Sequence, residues 1–347
     1  MKSKKYFLIN SLEWWGAERV VIHFANAAVK QWQQAYIITL KDAKFYNIPT
    51  SINHIALSHV RSNFLMFLLI PLYVYRFKKT QEQYQLSDGI SFLEIANFVH
   101  ILSKENASIS FRTHINFFTG IIGFVYKILI KRLYPKAGKI VVNSMENKED
   151  LAEYLRIPTN KIELVYNPID TQQIVWEAKA PIEASLLQKI QWKKIFITTG
   201  RLIASKHHEK ILQALAHIGL QDKWIYLIIG DGPQQKFLQH ITEKYGLKNN
   251  IVFLWSQKNV FKYLQRADCF LYASAVEWFP NVLAEAREMN IPIITTDFKS
   301  GAREIISGRY IKEQISYPYR GTYGIIIDPQ NIVTQLQILL VNFLKNS

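Results

Sequence analysis

The first half of the chain alternates short apolar runs with longer segments of helical periodicity. Residues 6–9 are apolar, and apolar residues then recur at the spacing of one helix face, at 20, 21, 24, 25 and 28. Further apolar runs occupy 36–40, 89–93, 108–111 and 139–142, with helix-length segments between them. This alternation predicts a parallel β-sheet whose strands are connected by crossover helices.

A second alternation follows a polar stretch that lacks periodicity. Strands are predicted at 195–199, 224–229, 251–254, 269–272 and 291–295, and helices at 206–218, 234–245, 260–267, from Asn281, and at 333–344. We therefore expect a first domain over 1–170, a linker over 171–190 and a second domain over 191–347. In open α/β sheets of this kind, ligands bind beyond the carboxyl ends of the strands.

Composition agrees with a folded protein. The chain has 347 residues, of which 49% are hydrophobic, and a single cysteine. Cys269 lies in an apolar run, so we expect it in a core strand and not as a reactive thiol, in a reducing, cytoplasmic compartment. The apolar run 6–9 is too short for a signal peptide. The run 64–75 is too short for a membrane-spanning helix, and Lys127 interrupts the run 117–130. No membrane-spanning segment is therefore expected.

Positive charge is concentrated in the first domain. The net charge is +15, and residues 1–140 hold 18 Lys and Arg against 7 Asp and Glu, a net charge of +11. Three interpretations stay open: contact with an anionic membrane surface, nucleic-acid binding, or a solvated basic surface. No helix-turn-helix, zinc or RNA-binding signature accompanies the charge, so nucleic acid is not an expected partner.

Two glutamates, Glu277 and Glu285, lie eight positions apart across a predicted strand–loop–helix junction. Pro280 suits a helix start, and the first backbone N–H groups of that helix form an anion site for the phosphates of a nucleotide: those of Asn281, Val282 and Leu283. Glu285 would then accept hydrogen bonds from a ribose, and Glu277 from sugar hydroxyls. The alternative is that Glu277 caps the helix and Glu285 is a solvated helix residue.

This segment resembles the E-x7-E motif of the large retaining glycosyltransferase family four. Further segments resemble family motifs in the same order along nearly the whole chain: Trp15 to Arg19, Asn143-Ser144, Tyr166 to Asp170, Gly200-Arg201-Leu202 with Lys206, Gly230 to Pro233, and Thr296-Asp297 with Ser300 to Glu304. The resemblance implies the GT-B fold, an α/β architecture of two Rossmann-like parallel-sheet domains that face each other across a cleft.

The resemblance also implies roles for individual residues. Arg201 and Lys206 would bind the donor diphosphate and offset the negative charge on the departing nucleotide. This charge must be neutralised by cations or by a metal for the nucleotide to leave. The donor-binding residues would be Gly16, Gly200, Phe279, Pro280, Asn281, Val282, Leu283 and Glu285, with Glu277 on the sugar. The sequence contains no D-x-D motif, so we expect neither a metal nor another cofactor.

Three histidines, His114, His207 and His208, are candidates for roles in the site or for binding a metal. His114 follows the predicted strand 108–111, where the family often has a histidine that faces the donor sugar, and the alternative is a structural role. Arg112 is a candidate for contact with acceptor or phosphate. His207 and His208 precede Glu209, but the H-E-x-x-H spacing is absent, so a metal site is not expected there.

The chain departs from the family pattern at three places. Trp15 replaces a glycine, so Trp14 or Trp15 would stack on an acceptor sugar, enter a membrane surface or pack in the core. His207 replaces a common glycine after the lysine. The chain ends at Ser347, whereas family members usually continue into a helix that crosses back to the first domain, so we expect either weaker domain closure or a helix that is supplied otherwise.

The predicted function is transfer of a hexose or N-acetylhexosamine from a nucleotide diphosphate sugar, with uridine as the expected base, to a surface-glycan or lipid-linked acceptor, with anomeric retention. The acceptor would be a glycan or glycolipid, and the protein would be cytoplasmic with peripheral contact at the inner face of an anionic membrane. The alternatives are a nucleotide-sugar epimerase of the same fold and a non-catalytic scaffold of a glycan-assembly complex.

Overall fold

A computed structural model describes residues 3–13, 16–43, 48–60, 62–277, 279–299 and 301–345, apart from the side chains of residues 63 and 64. The chain divides into two compact units, Met1–Pro168 and Ile169–Ser347. Trp14, Trp15 and Ser300, on which sequence predictions rest, lie outside the described residues. Within the described ranges, no helix combines the length and apolar character that crossing a membrane requires.

Unit 1 is a sheet of parallel strands flanked by helices. The strands are β1 (Lys4–Ile9), β2 (Gln34–Thr39), β3 (Ile52–Ala56), β4 (Asp88–Phe92), β5 (Ser108–Phe111), β6 (Lys139–Val142) and β7 (Ile162–Leu164). The helices are α1 (Gly16–Lys30), α2 (Asn63–Leu68), α3 (Ile70–Tyr84), α4 (Glu94–Ser103), α5 (Gly120–Leu133) and α6 (Met145–Leu155).

The strand order of unit 1 is β3-β2-β1-β4-β5-β6-β7, and the strand pairs are parallel. The parallel sheet predicted from the alternation is confirmed, while β3 and β7 were not predicted. β7 has only three residues, too few for a recognisable pattern. The order reverses between β1 and β4, which places a topological switch point at their carboxyl ends.

Unit 2 repeats this architecture. Its strands are β8 (Lys194–Thr199), β9 (Trp224–Ile229), β10 (Ile251–Trp255), β11 (Cys269–Tyr272), β12 (Ile293–Thr296), β13 (Tyr319–Gly321) and β14 (Gly324–Ile327). Its helices are α7 (Thr171–Ala178), α8 (Ala184–Ile190), α9 (His208–Ala216), α10 (Gln235–Lys244), α11 (Phe261–Leu264), α12 (Asn281–Glu288), α13 (Ala302–Ser307) and α14 (Ile332–Lys345).

The second sheet has the order β10-β9-β8-β11-β12-β14-β13, with only β13 antiparallel to its neighbour among the described strands. The order reverses between β8 and β11, so the switch point of unit 2 lies at the carboxyl ends of these two strands. Cys269 is buried in β11, as predicted, and burial raises the pKa of its thiol.

Residues 171–190, predicted as a linker, form two helices of unit 2. Ile174 on α7 and Leu186 and Ile190 on α8 are buried in the same apolar cluster as the strand residue Ile195. The helical spacing of these few apolar residues is hidden in the sequence by the polar residues between them. The units divide just after Pro168, in the segment that proline keeps out of a helix.

Candidate functional site

The loop that follows β8 carries Arg201 and is held by backbone contacts. Leu202 N–H donates to the carbonyl of Asp231 at 2.8 Å, which joins this loop to the loop after β9. Gly200 and Gly230 have φ of +153° and +141°, and a Cβ atom on Gly230 would overlap the carbonyl oxygen of Gly200. Gly230 therefore allows a backbone approach that a side chain at this position would block.

Lys206, at the end of this loop, pairs with Glu277 from the loop after β11. The Lys206 ammonium forms an ion pair with the Glu277 carboxylate, and the two side chains are 11% and 12% exposed. The hydroxyl of Tyr272 donates to the same Glu277 oxygen, and Lys206 Nζ donates to the Tyr272 oxygen at 3.1 Å. The Lys206 ammonium also lies 5.4 Å from the centre of the Tyr272 ring.

The electrostatics of this Lys206–Glu277–Tyr272 cluster keep the phenol protonated. Burial raises the pKa of Tyr272 well above its usual value, and the negative charge of Glu277 raises it further. The positive charge of Arg201 acts on the same phenol in the opposite direction, so Arg201 lies within electrostatic range of the cluster. Tyr272 is therefore a neutral donor that orients Glu277.

Three loops at the switch point of unit 2 are hydrogen-bonded to each other. Ala275 N–H donates to the carbonyl of Ser205 at 2.8 Å, and the Ser274 hydroxyl donates to the same carbonyl at 3.3 Å. Thr296, at the end of β12, donates its hydroxyl to the Ser274 carbonyl at 2.5 Å. The loops after β8, β11 and β12 therefore form one framework that positions Lys206 and Glu277.

Helix α12 begins at Asn281, as its preceding proline predicts. Pro280 is the N-cap residue, and its own side chain makes no capping hydrogen bond. The Leu283 N–H donates to the Pro280 carbonyl at 3.2 Å, so of the three predicted loop-facing amides this one is used within the turn. Asn281 and Val282 occupy the first turn, where the helix dipole favours an anion.

Phe279, the residue before Pro280, has a backbone conformation that is rare for a residue with a side chain. Phe279 has φ of +78° and is 8% exposed, and a Cβ atom on Gly301 would approach the Phe279 ring at 2.5 Å. The absence of a side chain on Gly301 therefore makes room for the ring, and Phe279 joins the loop after β11 to the start of α13.

The alternative interpretation of the two glutamates is wrong. Glu277 does not cap α12, because it pairs with Lys206 and the N-cap is Pro280. Glu285 is only 5% exposed, so it is not a solvated helix residue. Both carboxylates therefore belong to the buried or half-buried surroundings of the switch point.

The loop after β12 is held by an ion-pair network. Arg303 donates to both carboxylate oxygens of Asp297, with Nη2 at 2.7 Å from Oδ2, and to the carbonyl of Glu313 at 2.8 Å. The Tyr317 hydroxyl donates to Asp297 at 2.5 Å. The Asp297–Arg303 pair connects the loop after β12 to α13, and α13 contacts α12.

His208 supports the loop after β8, which carries Arg201 and Lys206. His208 is buried, its Nε2 lies 3.3 Å from the Arg201 carbonyl, and burial lowers its pKa to about 4. It is therefore neutral and donates to that carbonyl. His207 instead contacts Glu209 at 3.0 Å. Among the described residues, no group of three or more His, Cys, Asp or Glu side chains is placed to hold a metal.

In unit 1, His114 is enclosed by its own loop. The side chain is buried; Nδ1 accepts from Asn116 N–H at 3.2 Å, and Nε2 lies 3.4 Å from the carboxylate of Asp150. The Ile115 N–H also donates to Asp150, at 3.2 Å. Both ring nitrogens therefore have partners within unit 1, on the loop after β5 and on α6.

Arg112 is a buried cation at the end of β5. It donates from Nε to Ser110 at 2.8 Å and from Nη1 to Asn167, and it lies over the rings of Phe24 and Phe92. Burial lowers its pKa to about 9. It connects β5 to the segment that ends unit 1. Gly16, a predicted donor contact, is the first residue of α1 and follows the undescribed Trp15.

Sequence reasoning missed Tyr272, Ser205 and His208 as parts of the site. Tyr272 ends a buried strand, and its hydroxyl gave no motif signal. Ser205 contributes a backbone carbonyl, which any residue type provides. Only the assembled sheet brings these groups to Lys206 and Glu277.

Two family models match the chain and together span most of it. The model described as "Glycosyl transferases group 1" matches residues 186–322, and the model described as "Glycosyltransferase Family 4" matches residues 14–173. The first match contains the Lys206–Glu277–Tyr272 cluster and α12, and the second contains most of unit 1.

Similar proteins point the same way. An N-acetylgalactosaminyltransferase of Campylobacter jejuni, named for a diphospho-undecaprenol acceptor, is 30% identical over 86% of this chain and 81% of its own length. An uncharacterized glycosyltransferase of Methanocaldococcus jannaschii is 34% identical over 60% of this chain, which spans only 52% of that protein. The structure of Anabaena HepE in complex with UDP has a TM-score of 0.73 at 17% identity, over 100% of this chain and 89% of that one. The fold of the present chain is therefore GT-B.

Proposed function

Because the chain belongs to the family 4 glycosyltransferases of group 1, we propose that it moves a hexose or N-acetylhexosamine from a UDP-linked donor to a lipid-linked glycan acceptor, with retention at the anomeric carbon. UDP as the carrier is supported by the similar protein solved with UDP. The acceptor class is supported by the similar Campylobacter protein, whose name specifies a diphospho-undecaprenol acceptor. The reaction would take place at the inner face of the cytoplasmic membrane.

The observation that carries the proposal is the convergence of Lys206, Glu277 and the start of α12 at the switch point of unit 2. This is the edge where open α/β sheets bind ligands. A diphosphate there would meet the ammonium of Lys206 and the amide end of α12, and Arg201 is within electrostatic range. These groups have the charge that a nucleoside diphosphate requires.

In the proposed reaction, the bond between the anomeric carbon and the β-phosphate oxygen breaks, and the acceptor hydroxyl forms a new bond on the same face of the sugar. The acceptor proton passes to the departing phosphate oxygen, so no side-chain nucleophile is needed. Lys206 and Arg201 stabilise the charge that develops on the diphosphate. Glu277, oriented by Tyr272, accepts a hydrogen bond from a sugar hydroxyl.

The remaining predicted residues have supporting roles in this proposal. Glu285 would accept from the ribose, Gly200 and Phe279 shape the loops beside the diphosphate, and Gly16 lies at the start of α1 in unit 1. His114 receives a positioning role in the loop after β5, because both of its ring nitrogens have partners within unit 1. Its role at the reacting face of the donor sugar stays a prediction.

Turnover with a defined donor and acceptor tests the proposal. The protein is incubated with UDP-N-acetylhexosamines, with and without an undecaprenyl-diphosphate-linked N-acetylhexosamine, and UDP release and product are measured, with the new linkage assigned by NMR. The expected result is acceptor-dependent UDP release and an α-linked product from an α-linked donor. Epimerised nucleotide sugar without acceptor would indicate an epimerase. UDP binding without any product would favour the scaffold.

A further inference from the structure

The outer face of α5 is apolar. Ile121, Ile122 and Phe124 are 86%, 67% and 63% exposed, whereas Gly123 and Ile130 on the opposite side are buried in unit 1. A surface helix normally presents charged or polar residues to water and one apolar face to the core. A helix that is apolar on both faces is typical of one that has a second apolar neighbour.

A second helical face has the same pattern as α5. Each face is a stripe of three exposed apolar residues followed by one cation, at intervals of four, three and four residues: Ile121, Val125, Ile128 and Arg132 on α5, and Leu68, Leu72, Tyr75 and Lys79 on α2 and α3. Residues at these intervals lie on one side of a helix, so the four residues of α5 share one side, as do Leu72, Tyr75 and Lys79 on α3, whereas Leu68 ends α2. Both stripes therefore change from apolar to basic along the chain.

The two stripes belong to neighbouring helices. The ring of Phe67 on α2 lies 5.8 Å from the ring of Tyr126 on α5, and Tyr126 stacks on Phe118 at 5.6 Å. Helix α4 contacts both α3 and α5. We call the exposed side chains of the two stripes, together with Ile122, Phe124 and Lys131 beside them on α5, the α2–α5 patch.

The charged residues on the helices of the α2–α5 patch are basic, apart from Glu82 near the end of α3. Residues 43–81 and 106–145 contain no Asp or Glu, and Lys131 and Arg132 are exposed in the last turn of α5. Two copies of the chain that met through this patch would bring like charges together, which opposes association. A surface with anionic groups beside an apolar layer complements both features, and a phospholipid bilayer has this arrangement.

We infer that the α2–α5 patch binds the surface of a bilayer that contains anionic lipids, with the apolar residues at the acyl boundary and the basic residues among the headgroups. The inference deepens the proposed function, since a lipid-linked acceptor lies in such a surface. Unit 1 would then be the membrane-contacting unit, and the protein would need no spanning helix.

Partition onto vesicles tests the inference without donor or acceptor, so its failure is distinguishable from failure of the proposed function. Sucrose-loaded vesicles of phosphatidylcholine alone, or of equal parts phosphatidylcholine and phosphatidylglycerol, are sedimented with the full chain. The patch variants are Ile121→Ser with Phe124→Ser, and Lys131→Glu with Arg132→Glu. The matched control is Trp176→Ser with Trp192→Ser, which removes side chains of unit 2 that are 76% and 93% exposed.

The parent chain and the control are expected to partition onto the phosphatidylglycerol vesicles at least tenfold more than either patch variant, with unchanged circular dichroism for all four proteins. The inference is overturned if the patch variants partition like the parent, or if the control loses as much. It is also overturned if the parent is a dimer in sedimentation velocity and Ile121→Ser with Phe124→Ser makes it a monomer without changing vesicle binding.

Discussion

The ammonium of Lys206 is paired with the carboxylate of Glu277, although 71 positions separate the two residues in the chain. The pair joins the loops after β8 and β11, the two strands between which the sheet order of unit 2 reverses. In the proposed reaction, the ammonium of Lys206 binds the diphosphate of the donor in place of Glu277, and Glu277 accepts a hydrogen bond from the sugar. The pair therefore keeps both groups in place before the donor arrives.

Replacing Lys206 by methionine removes the charge but keeps the length of the side chain. Because electrostatic stabilisation of a departing anion is a large catalytic term, we expect kcat/KM for UDP release to fall by about 10²- to 10³-fold. Lys248→Met is the control, since the Lys248 side chain is 81% exposed and lies in the same unit. A Lys206→Met enzyme with parental turnover would contradict the proposed role.

Tyr272 is a positioning residue that acts through Glu277. A double-mutant cycle with Tyr272→Phe and Glu277→Gln measures the coupling between them in kcat/KM. We expect the double variant to lose no more activity than Glu277→Gln alone, which corresponds to a coupling of about 0.5–3 kcal/mol. Additive losses would show that the Tyr272 hydroxyl acts independently of Glu277.

Glu285 is predicted to hold the ribose of the nucleotide. UDP at about one hundred times its dissociation constant should stabilise the parent chain by about 2.7 kcal/mol and raise its Tm by several degrees. In Glu285→Ala, the Tm rise caused by the same UDP concentration should be much smaller, whereas Glu243→Ala on the exposed side of α10 should respond like the parent. An undiminished response in Glu285→Ala would remove the ribose assignment.

The pKa of His208 predicts how stability depends on pH. Burial lowers this pKa from 6.5 to about 4, so the fold favours the neutral ring. Its stabilisation is complete above pH 6.5 and is lost as the pH falls towards 4, amounting to about 2 kcal/mol by pH 5. In urea unfolding at pH 7.5 and 5.0, His208→Gln should therefore lose about 2 kcal/mol less than the parent between the two pH values. Equal losses would place the titration elsewhere.

In the proposed reaction, Arg201 and Lys206 stabilise the negative charge on the departing nucleotide, and the sequence has no D-x-D motif that would bind a metal for this purpose. We therefore expect turnover to persist when EDTA is added before the donor. Complete loss with EDTA, restored by Mg²⁺ or Mn²⁺, would show that a divalent cation is required. The same assay on Lys206→Met tells whether a cation replaces the missing ammonium.

The sequence predicted the sheets better than it predicted the edges. Strands such as β9 and β11 are uninterrupted apolar runs, because both of their faces are covered in a parallel sheet. β3, β13 and β14 were not predicted. β3 is a partly exposed edge strand of the unit 1 sheet, and β13 and β14 form a short hairpin at one end of the unit 2 sheet. The polar residues of α7 and α8 likewise hid the helical spacing of the few apolar residues that these helices bury in unit 2.

For the candidate site, the sequence located the charged groups but not what holds them. The E-x7-E spacing and the G-R-L-x3-K segment singled out Glu277, Glu285, Arg201 and Lys206. The contacts of Tyr272 with Glu277 depend on two loops that meet only after the sheet has formed. No local pattern records such a meeting. The same limit explains why the partners of His114 on α6 were not foreseen.

The close approach of Gly200 and Gly230 has a practical meaning for altering donor preference. Since these turns meet through backbone atoms, their relative position does not depend on the side chains that surround them. Saturation libraries at neighbouring exposed positions, such as Pro233, can therefore change the chemistry of the loops while the main-chain framework stays intact. A side chain at Gly230 would overlap the carbonyl oxygen of Gly200, so this position should be left out of such libraries.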